Sequence, residues 1–216
     1  MATYLKEATK RPQAVTDEIR TTVSTIISDV SRRGTDAVRH YSEKFDNWSP
    51  DRFRVSGREI ASVADRVDPE ILASARFTLD QVRNFARLQR ESMHDFEVET
   101  LPGVVLGQRH IPVQAVGAYS PGGLYPLIAS AIMTVATAKA AGVPRVVAAA
   151  PPRDGTGMHP PQLWAMVASG ADEIFCVGGV QALAGLAFGI EDSDPVDMVV
   201  GAGNVYVAEA KRQLFG

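Results

Sequence analysis

The segment Val113–Gly123, VQAVGAYSPGG, joins a short apolar run to a glycine-marked turn, and two later segments repeat that arrangement. They are Glu173–Gln181, EIFCVGGVQ, and Val196–Asn204, VDMVVGAGN. A helical pattern follows each turn. Short, continuous apolar runs are typical of strands that are buried on both faces of a sheet. The alternation of strands and helices therefore predicts a parallel, doubly wound sheet with right-handed crossovers.

The character of the sequence changes near residue 112. We interpret residues 1–112 as a helix-rich α/β region that forms an incomplete domain, and residues 113–216 as a Rossmann-like nucleotide-binding domain. The fold class is predicted to be α/β. The predicted strands of the second region are Val113–Tyr119, Arg145–Ala150, Glu173–Val177 and Val196–Val200, and its predicted helices are Pro126–Ala141, Pro160–Ser169, Val180–Phe188 and Val205–Leu214.

Apolar residues at three- and four-residue steps predict four helices in the first region. They cover Thr16–Arg33, a segment capped by Thr35 or Asp36, Ser56–Val67, and Pro69–Glu91. Phe45 is expected on the buried face of the second helix, and Ile71, Phe85 and Leu88 on the buried stripe of the fourth. Phe96–Gln108 is predicted to form a β-hairpin that turns at Pro102-Gly103.

The composition argues against several classes of protein. The 216 residues carry a formal net charge of −3 and are 45% hydrophobic, and they contain no long basic run, so nucleic acid is not an expected partner. No stretch approaches about 18 uninterrupted apolar residues, so we expect no membrane partner and a cytoplasmic location. The single cysteine, Cys176, excludes an internal disulfide and a cysteine-based zinc site, and it is predicted to be a buried strand thiol.

The three glycine turns predict a ligand cleft. Ligands of open α/β sheets bind beyond the carboxyl ends of the strands, where these turns lie. Tyr119, Gln181 and Asn204 are the side chains there that can offer a ring face or hydrogen bonds to a nucleotide. A packed aromatic at Tyr119 and a plain helix cap at Asn204 remain alternatives. The G-x-G-x-x-G fingerprint is absent, so a standard Rossmann phosphate loop is not predicted.

Catalytic and metal-ligating residues cannot be assigned within this sequence. None of the four histidines has a partner at the spacing of a helical metal site, which favours surface or capping roles. The acid pairs Asp172-Glu173 and Glu191-Asp192 are interpreted as solvated side chains. The serines and threonines show no nucleophile-elbow pattern.

Several longer strings resemble the histidinol dehydrogenase family across almost the whole chain. The strings are Gly34–Asp46 (GTDAVRHYSEKFD), Val116–Gly123 (VGAYSPGG), Gly170–Ile174 (GADEI), Val177–Ala182 (VGGVQA), Gly201–Asn204 (GAGN) and Glu209–Gln213 (EAKRQ). Each string alone is weak, but their order and spacing together are specific. The stretch Gly123–Ala131 (GLYPLIASA) is more similar to the sulfopropanediol dehydrogenase branch of the family than to its histidine-biosynthetic enzymes.

The resemblance implies an NAD-dependent, zinc-containing homodimer that oxidises a primary alcohol through an aldehyde to a carboxylate. The implied substrate is histidinol or 2,3-dihydroxypropane-1-sulfonate. Tyr119, Gln181 and Asn204 match NAD-contacting positions of the family. Two departures stand close to them, because the family usually has Pro where this chain has Ala202 and Val where it has Ser120. The missing proline is expected to loosen the Asn204 turn.

The resemblance also implies that the zinc ligands and the Glu-His pair of the proton chemistry follow the segment that matches Phe215. The expected reading is therefore the amino-terminal part of such a dehydrogenase, inactive as this chain alone. One chain of a split enzyme and a noncatalytic NAD-binding module are the alternatives. Histidinol or 2,3-dihydroxypropane-1-sulfonate turnover by the purified chain would contradict the first reading.

Overall fold

Four parallel strands form the sheet around which the chain is organised in the computed structural model, which describes residues 15–122 and 125–215. The strands are β3 (Ala115–Tyr119), β4 (Arg145–Ala150), β5 (Glu173–Cys176) and β6 (Met198–Val200). Their order across the sheet is β5-β4-β3-β6. The direction of winding reverses between β3 and β6, as in one half of a doubly wound sheet. The predicted α/β class is confirmed, with strand ends that differ by two residues or fewer from the predicted ones.

Helices cover both faces of this sheet. They are α1 (Asp17–Arg33), α2 (Thr35–Asp46), α3 (Gly57–Ser62), α4 (Pro69–Glu91), α5 (Ile128–Ala140), α6 (Pro160–Ser169), α7 (Gly179–Phe188) and α8 (Val205–Phe215). Alternate strand residues point to opposite faces. Tyr119 and Ala149 pack in a core with α1, α2, α7 and α8, whereas Ala118 and Ala148 pack in a second core with α4, α5 and α6.

Local sequence signals explain where several helices begin and end. The Thr16 hydroxyl accepts a hydrogen bond from the Ile19 amide at 3.3 Å and caps α1. Gly34, with φ of 56°, ends α1 and also occupies the cap position of α2, so the predicted cap by Thr35 or Asp36 is wrong. Asp68 caps α4, and Pro69 takes its first position, where a missing N–H costs nothing.

The structure corrects two further expectations about the first region. Ser56–Val67 is not one helix, because α3 ends at Ser62 and a 3-10 turn follows over Ala64–Arg66. The Ser62 hydroxyl donates to the Arg58 carbonyl at 3.0 Å, a bond that competes with helix continuation. Phe45 is 53% exposed, since it faces a cleft between helices.

The predicted stripe of α4 is only partly buried. Ala75 and Leu79 are buried where α4 crosses α5, whereas Ile71, Phe85 and Leu88 are exposed. After α4 come β1 (Phe96–Leu101) and β2 (Val104–Gln108), which form the predicted antiparallel hairpin with its turn at Pro102-Gly103. All side chains of both hairpin strands are exposed.

The helices of the first region share both cores with the sheet. α1 and α2 contact α7, and α4 contacts α5 and α6. The division into two domains at residue 112 stays a prediction. Within the described residues, no helix combines the length and the apolar character that a membrane crossing requires.

Candidate functional site

The three glycine turns meet at the carboxyl end of the sheet. Two adjoining cavities of about 310 Å³ and 580 Å³ open there, and both are lined by Asp46, Gly179 and Asn204. Gln181 lines the smaller cavity, and Tyr119 lines the larger one. The structure thus brings the three predicted side chains to one cleft. Their contact with NAD stays a prediction.

Tyr119 ends β3 and is 5% exposed. Its hydroxyl accepts a hydrogen bond from the Gly179 amide at 3.1 Å, which joins the end of β3 to the start of α7. Burial raises the pKa of the Tyr119 hydroxyl, so it stays protonated at neutral pH. Tyr119 therefore acts as a packed aromatic and as a wall of the cleft at once.

Gln181 lies in the first turn of α7 and is 1% exposed. Its Nε2 donates to Oδ2 of Asp46 at 3.3 Å, which fixes the orientation of the amide. A buried side-chain amide that lines a cavity can recognise a polar ligand group by hydrogen bonding. The same pair ties α2 to α7 across the cleft.

Asn204 caps α8. Its Oδ1 accepts hydrogen bonds from the amides of Tyr206 and Val207, both at 3.1 Å. The capping alternative is therefore correct for the side-chain oxygen. The amide nitrogen takes no part in the cap, and a ligand in the cleft can accept from it.

Asp46 is the cleft residue that sequence reasoning missed. It is the last residue of α2, and it lines both cavities although it lies 135 positions from Gln181 in the sequence. Burial raises the pKa of its carboxyl group. The one available signal was its place at the end of the string Gly34–Asp46.

Gly201 lets two turns approach each other closely. Its φ of 134° disfavours other residues, and an added Cβ would lie 2.0 Å from the Tyr119 carbonyl oxygen. Nζ of Lys211 donates to the Gly201 carbonyl at 2.6 Å and holds the turn from the side of α8. The turn is thus shaped by packing and by a charged hydrogen bond.

The described residues provide no cluster of metal-ligating side chains beside the cleft. Across residues 15–122 and 125–215, no three His, Cys, Asp or Glu side chains come together in a way that could hold a metal ion. Cys176 is buried in β5, as predicted, and burial raises the pKa of its thiol to about 12. It is therefore no nucleophile at neutral pH. Glu173, interpreted as solvated, is instead largely buried between two arginines.

The chain is similar to known proteins over nearly its whole length. The model of the family described as histidinol dehydrogenase matches residues 9–216. The chain belongs to the histidinol dehydrogenase family. It is 45% identical over 218 residues to a histidinol dehydrogenase homolog of Shouchella clausii, covering 100% of this chain and 51% of the relative. It is also 42% identical over 213 residues to the sulfopropanediol 3-dehydrogenase of Ruegeria pomeroyi, covering 99% of this chain and 49% of the relative.

The fold agrees with a solved member of the family. The crystal structure of histidinol dehydrogenase from Elizabethkingia anophelis matches with a TM-score of 0.86 and 27% identity, covering 94% of this chain and 47% of that one. The present chain spans about half the length of the relatives that it matches. Because the related proteins are named dehydrogenases, the family is one of oxidoreductases.

Residues from two of the family strings make hydrogen bonds near the elements that form the cleft. Glu209, which is 2% exposed, accepts from Arg212 and Gln213, and Gln213 also donates to the Arg20 carbonyl of α1 at 3.1 Å. These bonds lock α8 against α1. At the first turn, the Ser120 hydroxyl accepts from Nε2 of Gln162 at 2.8 Å. Ser120 thus takes part in a buried hydrogen bond.

Proposed function

We propose that this chain holds NAD in the cleft lined by Tyr119, Gln181 and Asn204, as part of an oxidoreductase that oxidises a primary alcohol through an aldehyde to a carboxylate. The supporting observation is the convergence of three glycine turns at the point where the winding of the sheet reverses. Ligands of doubly wound sheets bind at that point. Membership of a dehydrogenase family supports the same reading.

The residues of the cleft fit a dinucleotide. Cavities of 310 Å³ and 580 Å³ fall in the range of small-molecule sites, which is about 300–1,000 Å³. Gln181, Asn204 and Asp46 supply hydrogen-bonding groups, while Ile26, Phe45, Val180 and Val207 supply apolar walls. When bound, NAD would accept the hydride that leaves the alcohol. Gln181 and Asn204 would hold it through their amide groups, and Tyr119 would line the site.

Zinc does not fit the described residues, because they contain no cluster that could ligate it. We assign no step to it, and we propose that any zinc of the whole protein is held elsewhere. As substrate we propose a small-molecule alcohol, histidinol or 2,3-dihydroxypropane-1-sulfonate. The similarity to the sulfopropanediol 3-dehydrogenase favours the second alcohol. We also propose a homodimer in the cytoplasm, with neither nucleic acid nor membrane as a partner.

Calorimetric titration of the 216-residue chain with NAD tests the proposal. We expect saturable binding that Gln181→Ala weakens by about 1–3 kcal/mol, because a ligand group loses its hydrogen-bond partner. Gln81→Ala, at an exposed position of α4, serves as the matched control and should bind like the wild type. No saturable heat at millimolar NAD, from a protein with a cooperative thermal melt, would contradict the proposal.

A second experiment separates NAD binding from catalysis. The chain alone is expected to form no NADH from histidinol or from 2,3-dihydroxypropane-1-sulfonate, with or without added zinc. NAD binding without turnover is also what a noncatalytic module or one chain of a split enzyme would show. Recovery of turnover with a second chain from the same cells would favour the split enzyme. Turnover by the purified chain would show that its own residues carry the chemistry.

A further inference from the structure

Asp46 stands where two strands and one helix meet. A Cβ placed on Gly178, just after β5, would lie 2.6 Å from Cβ of Pro151 and 3.5 Å from Oδ2 of Asp46. Pro151 directly follows β4. The carboxylate is therefore close to the carboxyl ends of β4 and β5, at the boundary of both cavities.

The charge of Asp46 stands without a counter-ion in the part of the chain that the structure describes. Among the described residues, no Lys, Arg or His nitrogen lies within 4.0 Å of its carboxylate, in contrast to Glu173, which contacts Arg54 and Arg145. Burial raises the pKa of Asp46. An ionised carboxylate only accepts hydrogen bonds. Gln181 provides one donor, and the oxygens that face the cavities remain open to hydroxyl or amine groups of a ligand, but not to a phosphate, which would repel them.

Sheet topology indicates which part of a dinucleotide would face this carboxylate. In dinucleotide-binding sheets, an Asp or Glu about 20 residues after the first glycine turn, near the end of the second strand, accepts from a hydroxyl of the adenosine ribose. Here β3 is the first strand and β4 the second, and β4 runs into Pro151 and Pro152. No acidic side chain follows β4 directly. Asp46, carried by α2, reaches the same corner from another element.

We propose that Asp46 binds the adenosine ribose of the cofactor and selects NAD over NADP, an inference that rests on the proposed NAD binding. The carboxylate accepts from the ribose hydroxyls, and its charge repels the additional 2′-phosphate of NADP. Asp46 is thus a specificity-determining residue supplied by the first region of the chain. Its hydrogen bond from Gln181 keeps the carboxylate in place.

Titration of the whole chain with NAD and with NADP tests this assignment. We expect the wild type to bind NAD at least about tenfold more tightly than NADP. Asp46→Asn should weaken NAD binding by about 10- to 100-fold, the range for a hydrogen bond to a charged group, and should bring the two dissociation constants together. Asp36→Asn, at an exposed position of the same helix, should keep the wild-type ratio.

The measured dissociation constants distinguish a failure of the Asp46 assignment from a failure of NAD binding. If the wild type binds NAD and Asp46→Asn keeps the same ratio of dissociation constants, the ribose assignment is overturned and NAD binding stands. If the folded wild type binds neither dinucleotide, both fall. Asp46→Glu gives a second measure, since a retained carboxylate should preserve discrimination against NADP even where affinity falls. An Asp46→Glu variant that binds NAD and NADP equally well, as is expected of Asp46→Asn, would count against the role of charge.

Discussion

Acidic side chains have different hydrogen-bond and ion-pair partners at the two ends of the sheet. At the amino ends of the strands, Glu173 contacts Arg54 at 2.5 Å and Arg145 at 2.8 Å, and Asp172 and Asp197 accept from backbone amides of neighbouring strands. At the carboxyl ends, the hydrogen bond that Asp46 accepts from the described residues comes from the neutral amide of Gln181. Burial alone would raise the pKa of Glu173, but hydrogen bonds from Arg145 and Ser193 hold it below the usual value, whereas the pKa of Asp46 is raised.

This difference separates a stabilising end of the sheet from the end where we propose that NAD binds, which is called the binding end below. Buried charges with partners fix strand positions, because each partner satisfies the other in a medium that screens poorly. A half-buried carboxylate without a cation disfavours the folded state, and its raised pKa marks a place where a ligand can complete the hydrogen bonding. The comparison predicts that removing an acidic charge has opposite effects on the free energy of unfolding at the two ends.

The largest effect is expected from Gly201→Ala, at the binding end. The new methyl group would overlap the Tyr119 carbonyl, and the backbone conformation is one that alanine rarely adopts. We expect a loss of about 3 kcal/mol or more in the free energy of unfolding, measured by urea denaturation. Gly57→Ala, where an added Cβ meets nothing within 4 Å, is the control and should be neutral or stabilising. Equal stability of the two variants would show that the close approach of the turns is not required.

Glu173→Gln tests the stabilising end. Removing the charge leaves Arg54 and Arg145 without their shared carboxylate, and we expect a loss of about 2 kcal/mol, below the range for fully buried pairs because both arginines keep contact with water. Since the folded pKa of Glu173 is lowered, its stabilisation is present above the ordinary value of 4.5 and is lost as the pH falls through the folded pKa.

Urea denaturation at several pH values measures this difference. The gap between wild type and Glu173→Gln should close in acid. Glu43→Gln, at an exposed position of α2, provides the reference for a change of charge alone. A gap that does not depend on pH would mean that the ion pairs contribute nothing to stability.

A pair of variants at Asn204 separates its cap from its predicted cofactor contact. Asn204→Ala should cost about 1 kcal/mol of stability, since the amides of Tyr206 and Val207 lose their acceptor. Asn204→Asp keeps an acceptor and should retain the cap. If the amide nitrogen donates to NAD, both variants lose affinity in calorimetry. Wild-type affinity in Asn204→Asp would limit Asn204 to capping.

The smallest effect, and one of opposite sign, is expected from Asp46→Asn in the absence of ligand. A raised pKa means that the charged form is disfavoured in the folded state, so removing the charge should increase the free energy of unfolding at neutral pH, by no more than about 0.5 kcal/mol because solvent screens the exposed part of the carboxylate. The gain should vanish as the pH falls below the ordinary aspartate value of 3.8. Thermal melts of Asp46→Asn, with Asp36→Asn as the control, measure this gain in stability. A melting temperature of Asp46→Asn below that of the wild type would contradict the contrast between the two ends.

Periodicity and turn residues allowed the sheet and most helices to be predicted, because each of those signals is local. Runs such as Arg145–Ala150 are almost entirely buried, and their continuous apolar character identifies them as strands. Helix faces were harder to predict: Phe45 fits the apolar spacing of α2, yet it stacks on Tyr41 at 5.9 Å and borders a cavity. Spacing alone cannot distinguish a core from a cleft wall.

The part of the candidate site that lies on the glycine turns could be predicted from the sequence. Tyr119, Gln181 and Asn204 stand beside glycines at strand ends, so a topological rule brings them together. Asp46 follows no strand and no glycine, and it reaches the cleft because α2 packs on α7. Its proposed role depends on tertiary contact, which a sequence pattern does not encode.

The smaller cavity has walls from both regions of the chain. Thr22, Ile26, Phe45 and Asp46 come from α1 and α2, and Gly179, Gln181 and Asn204 come from the elements after β5. The glycine turns are therefore not a portable module. A protein cut to residues 113–216 would keep every turn and lose one side of the cleft, so transplanting this site into another scaffold requires the two amino-terminal helices as well.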